Sequence, residues 1–247
     1  MQIASAIQNL SSKAAYGLCA ALVGVLSAIV AVSLASGPVF VGISFAVFLA
    51  GLVPIAYLHR VYWRGDSFGC ANVVTLARWA LISVLVALFV AVAVPGASWF
   101  VLVIALGALA LDGVDGKLAR HFGEVSTFGA RFDMEIDALL ILVLSGLIWW
   151  VERTGAWVLL AGGMRYGFVL AGMLWPALRK PLPYRRRRQF VCVVQILSLL
   201  ICIAPIVPAA LAPWIAAVGI ACLIASFAID VLWLLREAAL GEAPAIA

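Results

Sequence analysis

Four aspartates stand within 26 positions of an otherwise oily chain: Asp112 and Asp115, then Asp133 and Asp137. An ionised carboxylate in or beside a membrane is costly unless something pairs with it, so this crowding marks a place that binds something. Asp112 and Asp115 are three residues apart and Asp133 and Asp137 four apart, so on helices each pair shares one face. Only a short connection, residues 122–126, separates the two apolar segments that carry them. The two helices are therefore expected to be antiparallel neighbours whose four carboxylates converge. Four like charges at close range need cations between them. Hard divalent ions such as Mg²⁺ or Mn²⁺ accept carboxylate oxygens and keep their other positions for water or phosphate oxygens; a pair of them stabilises charge developing in a displacement at phosphorus. The spacing predicts metal-assisted phosphoryl chemistry. Gly116, Ala119 and Gly129 suit that chemistry because small side chains admit a bulky ligand or a second helix, and Arg120 is placed to hold a phosphate oxygen with two donors.

The elements that must position these residues are membrane spans. Of the 247 residues 66% are hydrophobic and only 11% charged, a balance that excludes a water-soluble domain. With a helix rise of ~1.5 Å per residue and a hydrocarbon core of ~30 Å, each span needs about 20 apolar residues. Eight such runs are expected, at 14–36, 37–58, 72–94, 98–120, 127–150, 156–178, 190–209 and 212–235. Turn residues mark the joints, among them Gly37-Pro38, Pro95-Gly96, Thr154-Gly155, Pro181 to Pro183 and Pro208 to Pro213. The fold class is all-α, a polytopic transmembrane helix bundle. The first run is too long for a signal-peptide core and follows no strongly basic stretch, so it reads as a retained helix.

If the spans alternate, Lys13, Arg60, Arg64, Lys117, Arg120, Arg179, Lys180, the Arg185 to Arg188 tract and Arg236 fall on one side, and Arg153 alone on the other. The positive-inside rule then puts both termini and the aspartates at the cytoplasmic face. The net charge of +5 comes from these short loops, so no nucleic-acid partner is expected. The Arg185 to Arg188 tract reads first as a topology anchor for anionic membrane lipids, and second as a means of drawing in an anionic substrate. Five cysteines show no CxxC spacing and read as free thiols.

Neither charge pairing at the membrane edge nor ion transport accounts for the acids as well as bound metal does. Lys117 and Arg120 beside the acids are too few to neutralise four carboxylates at a membrane edge. A cation pathway would place its acids near the midplane between paired repeats, whereas these sit at helix ends and no repeat is visible.

The string Asp112-x-x-Asp115-Gly116-x-x-Ala119-Arg120, eight residues, Gly129-x-x-x-Asp133-x-x-x-Asp137 resembles the complete motif of the CDP-alcohol phosphotransferases, integral membrane enzymes of phospholipid synthesis. Upstream, Asn72-x-x-Thr75-x-x-Arg78 is similar to the start of that family's first core helix. The resemblance covers residues 66–236. It implies a six-helix core over 72–236; around that core the apolar pattern adds two accessory helices in 1–58, an interfacial segment at 59–71 and a short cytoplasmic tail at 237–247. The resemblance further implies that Asp112, Asp115 and Asp133 hold Mg²⁺ or Mn²⁺, and that Asp137 completes the metal site and serves as general base. Gly116, Ala119, Arg120 and Gly129 would shape the CDP pocket, with Asn72 and Thr75 beside them. The implied reaction moves a phosphatidyl group from CDP-diacylglycerol to an alcohol acceptor and releases CMP. The implied setting is a homodimer in a bacterial inner membrane. The alternative within the family is transfer of a CDP-choline or CDP-ethanolamine head group to a lipid alcohol.

Two extra spans depart from the usual pattern, and residues 57–72 are basic and aromatic enough to lie in the interface. For the acceptor, Arg165 sits deep in its span and needs an anion, either in the acceptor pocket or on a lipid phosphate. Arg131 could contact an anionic acceptor, but an ion pair with Glu135 four residues on is the nearer reading. Asp230 is expected to pair with Arg236 or to reach the interface. His59 and His121 are expected in loops, without chemistry.

Overall fold

The computed structural model describes residues 11–62, 68–122, 126–175, 178 and 186–241. Among the described residues there are eight α-helices and no strand: α1 (Ser12–Ser33), α2 (Gly37–Tyr62), α3 (Cys70–Ala87), α4 (Ala97–Phe122), α5 (Thr127–Trp150), α6 (Leu160–Leu174), α7 (Arg186–Ile203) and α8 (Ala212–Gly241). Short 3-10 turns extend α3 and lead into α6 and α8. Six helical stretches are long and apolar enough to cross a membrane, belonging to α1, α2, α3, α4, α6 and α8. The other two are α5, which carries Asp133 and Asp137 in its first half, and α7, which begins in the arginine tract; both are apolar beyond those residues. The protein is an integral membrane bundle, and helix ends depart from the expected spans by up to seven residues.

α3 lies at the centre. It packs against α1, α2, α4 and α5, while α5 also meets α6 and α7, and α7 meets α8. Fourteen of the residues of α3 are buried, including Asn72, Thr75 and Arg78. Helix backbones satisfy their own polar groups, as a membrane demands, and buried hydroxyls follow suit: Ser44 donates to the carbonyl of Phe40 at 3.0 Å and Ser83 to that of Ala80 at 2.7 Å. Ser126 caps α5, its Oγ accepting from the Gly129 amide at 3.0 Å. At the far end of the bundle Arg153 donates to the carbonyls of Val207 and Ala204, at 2.7 and 3.1 Å, and so ties two turns together.

Two histidines correct the sequence reading. His59 lies in α2 and His121 in α4, because both helices run a few residues past the apolar stretch that predicted them. α2 continues to Tyr62, so residues 59–62 are helical; residues 63–67 lie outside the described part.

Candidate active site

Three helices meet at Arg78. Its side chain, fully buried in the middle of an apolar helix, requires anions, since a lone guanidinium away from water is costly. α4 supplies Asp112, whose Oδ1 is 3.0 Å from Nη1 of Arg78. α5 supplies Asp133, whose Oδ1 accepts from the same nitrogen at 2.6 Å, and Asp137, whose Oδ1 accepts from Nη2. The i,i+4 spacing puts the last two on one face of α5, as expected. The second oxygen of Asp137 faces the thiol of Cys192 on α7, with Sγ 3.6 Å from Oδ2. Thus α3, α4, α5 and α7 each contribute a side chain to one cluster.

Oxygens of Asp112, Asp133 and Asp137 all lie within 4.8 Å of one another. Among the described residues, three carboxylates surround a single guanidinium, and that set is under-compensated. It is made of hard oxygens, and both its charge and its chemistry fit a divalent cation. The three side chains keep 23%, 41% and 21% of their surface exposed, so the cluster opens outwards while Arg78 closes it from within.

Of the residues singled out in the sequence, Asp112, Asp133 and Asp137 are brought together. Asp115 follows Asp112 on α4, but the side chains of Asp115, Ala119 and Arg120 lie outside the described residues. Gly116 is half-buried on the same helix. Asn72 and Gly129 are in contact across the α3–α5 crossing: Asn72 donates through Nδ2 to the Phe68 carbonyl at 2.7 Å, and a Cβ at position 129 would come within 3.1 Å of its Oδ1. A side chain at 129 would press on both Asn72 Oδ1 and Ser126 Oγ, at 3.1 and 3.2 Å. Thr75 is buried one turn on, donating to the Ala71 carbonyl at 3.1 Å.

Arg131 and Arg165 are not brought to the cluster. Two residues along a helix turn by about 200°, so Arg131 and Glu135 occupy the face of α5 turned away from Asp133. The expected Arg131–Glu135 pair gives way to partners on other helices. Glu135 Oε1 accepts from Arg165 Nη2 on α6 at 2.5 Å, while Arg131 lies over the Tyr62 ring of α2, its Cζ 4.5 Å from the centroid, and donates to the phenol oxygen at 3.3 Å. Asp230 likewise pairs with Arg187 of the basic tract, at 2.5 Å, rather than with Arg236; Arg187 also donates to the Ser226 carbonyl at 2.8 Å. That part of the tract fastens α7 to α8.

From the sequence alone, two members of the cluster have no role in the site: Arg78, which enters only in the Asn72-x-x-Thr75-x-x-Arg78 pattern, and Cys192, which reads as a free thiol. Arg78 carries a visible signal, a cation inside an apolar run and in step with Asn72 and Thr75 on one helix face. Cys192 carries none, since a thiol in an apolar segment looks like any small core residue.

The family model of CDP-alcohol phosphatidyltransferase matches residues 68–227. Neither the curated proteins nor the solved structures yield a match. The matched stretch spans every helix that lends a side chain to the cluster and leaves α1 and α2 outside, with the motif spacing intact. On these grounds the chain belongs to the CDP-alcohol phosphatidyltransferase family and is a membrane enzyme of phosphatidyl-type transfer from a CDP-alcohol.

Proposed function

We propose that the chain transfers the phosphatidyl group of CDP-diacylglycerol to an alcohol acceptor and releases CMP, with Mg²⁺ or Mn²⁺ held by Asp112, Asp115, Asp133 and Asp137. The observation that carries this reading is the convergence of Asp112, Asp133 and Asp137 on one partly open point. Held by these carboxylates, a divalent cation would supply compensation for charge on the pyrophosphate and on the departing CMP.

Asp137 is suited to receive the proton of the acceptor hydroxyl. Its Oδ1 is engaged by Arg78, whereas its Oδ2 has a thiol for a neighbour, and a thiol is a weak donor. Oδ2 is thus the oxygen left to take a proton. The acceptor oxygen then bonds to the phosphorus that bears diacylglycerol, the bond from that phosphorus to the bridging oxygen breaks, and CMP carries the bridging oxygen away. Gly129, Asn72 and Thr75, with Gly116, Ala119 and Arg120 on α4, line the approach of the CDP moiety. The outward face of the cluster is cytoplasmic by the distribution of Lys and Arg, in a bacterial inner membrane, and the enzyme works as a homodimer. Arg165 takes part in acceptor binding by exchanging Glu135 for the acceptor's own anion, while Arg131 stays on Tyr62.

The test is CMP release from CDP-diacylglycerol by purified protein in liposomes with Mg²⁺ or Mn²⁺, across glycerol 3-phosphate, inositol 1-phosphate, inositol, serine and phosphatidylglycerol. A single acceptor giving metal-dependent CMP and a lipid of matching mass is the expected result. Folded protein that releases no CMP with any of them, yet does so from CDP-choline or CDP-ethanolamine with diacylglycerol, would reverse the substrate pair.

A further inference from the structure

The two N-terminal helices lie outside the matched stretch, yet α2 packs on α3 and α5, two of the helices that carry the cluster. In its middle, Gly51 faces Trp79, the neighbour of Arg78, so closely that a Cβ there would come 2.1 Å from the indole, and the indole nitrogen donates to the Phe48 carbonyl at 3.1 Å. At its end, His59 and Tyr62 are one turn apart and meet the first turn of α5. The His59 ring stands edge-on to Phe128, with centroids 5.3 Å apart, and Phe128 stacks on Phe132 at 5.5 Å. Tyr62 carries Arg131 on its ring and accepts its hydrogen bond. Phe128 and Arg131 flank Gly129, and Phe132 immediately precedes Asp133.

These contacts grip the side of α5 opposite the carboxylates. A helix held only by its inward acids can rotate about its axis, and a turn of one residue's worth, about 100°, removes both acids from the cluster. Fixing the outward residues Phe128 and Arg131 suppresses that rotation. We propose that His59 and Tyr62 of α2 form a positioning clamp on the first turn of α5, so that the N-terminal helices are part of the catalytic unit. The catalytic consequence rests on the transferase reading above; the clamp itself does not.

The experiment is hydrogen exchange on the purified full chain, followed by mass spectrometry of peptides covering residues 127–137, with CMP release measured in parallel. A cation–π contact at a partly exposed site implies that Tyr62→Ala speeds exchange there about two- to fivefold, while peptides of residues 97–111 keep their rates. Tyr62→Phe, which retains the ring, should restore most of the protection, and Tyr57→Leu, a lipid-facing change one turn earlier, should alter nothing. In turnover, Tyr62→Ala should raise the KM for CDP-diacylglycerol and Tyr62→Phe should bring it back. If Tyr62→Ala does not fold, Arg131→Met, which removes both the cation and the donor, probes the same contact from the other side with the same expected exchange. Unchanged rates over 127–137, or an acceleration spread evenly over all helices, would overturn the clamp. Absence of CMP release from the unaltered chain would strike the transferase reading, and exchange would still decide the clamp.

Discussion

Arg78 is the residue on which the site turns. A fully buried guanidinium among three carboxylates is stabilised by its partners, and removing one member of such a set leaves the others uncompensated, at about 3–5 kcal/mol for fully buried groups. The aspartates are partly exposed, which favours the lower end of that range. Arg78→Met should therefore lower the melting temperature in detergent. Because the freed carboxylates then repel one another, Mn²⁺ should raise the melting temperature of this variant more than that of the unaltered chain. Equal Mn²⁺ shifts would show that guanidinium and cation do not share ligands. Asp137→Asn keeps the size of the side chain and its contact with Arg78 but removes the proton acceptor. Its kcat should fall by about 10²–10⁴, the range of general-base contributions, with binding of CDP-diacylglycerol retained. Equal loss of binding would make Asp137 a metal ligand alone.

At the scale of elements, α5 explains what could and could not be read from the chain. Its bounds, and the convergence of Asp133 and Asp137, were legible because span length follows membrane thickness and a helix repeats every ~3.6 residues. The partners of its outward residues were not. An exposed i,i+4 pair is worth only about 0.3–0.5 kcal/mol, so Arg131 and Glu135 yielded to contacts from α2 and α6, and which helices would flank α5 is not written in local spacing. The same holds for Asp230, drawn to Arg187 on the neighbouring helix instead of to Arg236 on its own. Helix α5 also yields a test of the acceptor reading. If Arg165 exchanges Glu135 for an acceptor anion, Arg165→Ala should raise the KM for glycerol 3-phosphate and leave that for inositol in place. If neither KM moves, and Glu135→Gln and Arg165→Ala couple in thermal stability by about 0.2–1 kcal/mol, the pair is a tie between α5 and α6 only.

For the whole molecule the question is whether a core of six helices can work without the first two. In water, stripping α1 and α2 from α3 would expose a large apolar face and unfold the bundle; in a bilayer, lipid tails cover that face, and what is lost is specific packing. Residues such as Leu76 and Trp79, buried here against their neighbours, would meet lipid without a hydrophobic penalty. A chain beginning after Tyr62 should therefore still insert and stay helical, yet lose the contacts of Gly51 with Trp79 and of Tyr62 with Arg131. Removing α1 alone spares both of those contacts and breaks the edge-on meeting of Tyr16 with Phe68, centroids 5.7 Å apart. The expected order of CMP release in liposomes is full chain, then the chain without residues 1–36, then the chain without residues 1–62, with the largest drop at the second truncation. Circular dichroism should report helix in all three. A chain lacking residues 1–62 that turns over as fast as the whole would make the N-terminal helices a passive cover and place the control of α5 within the core.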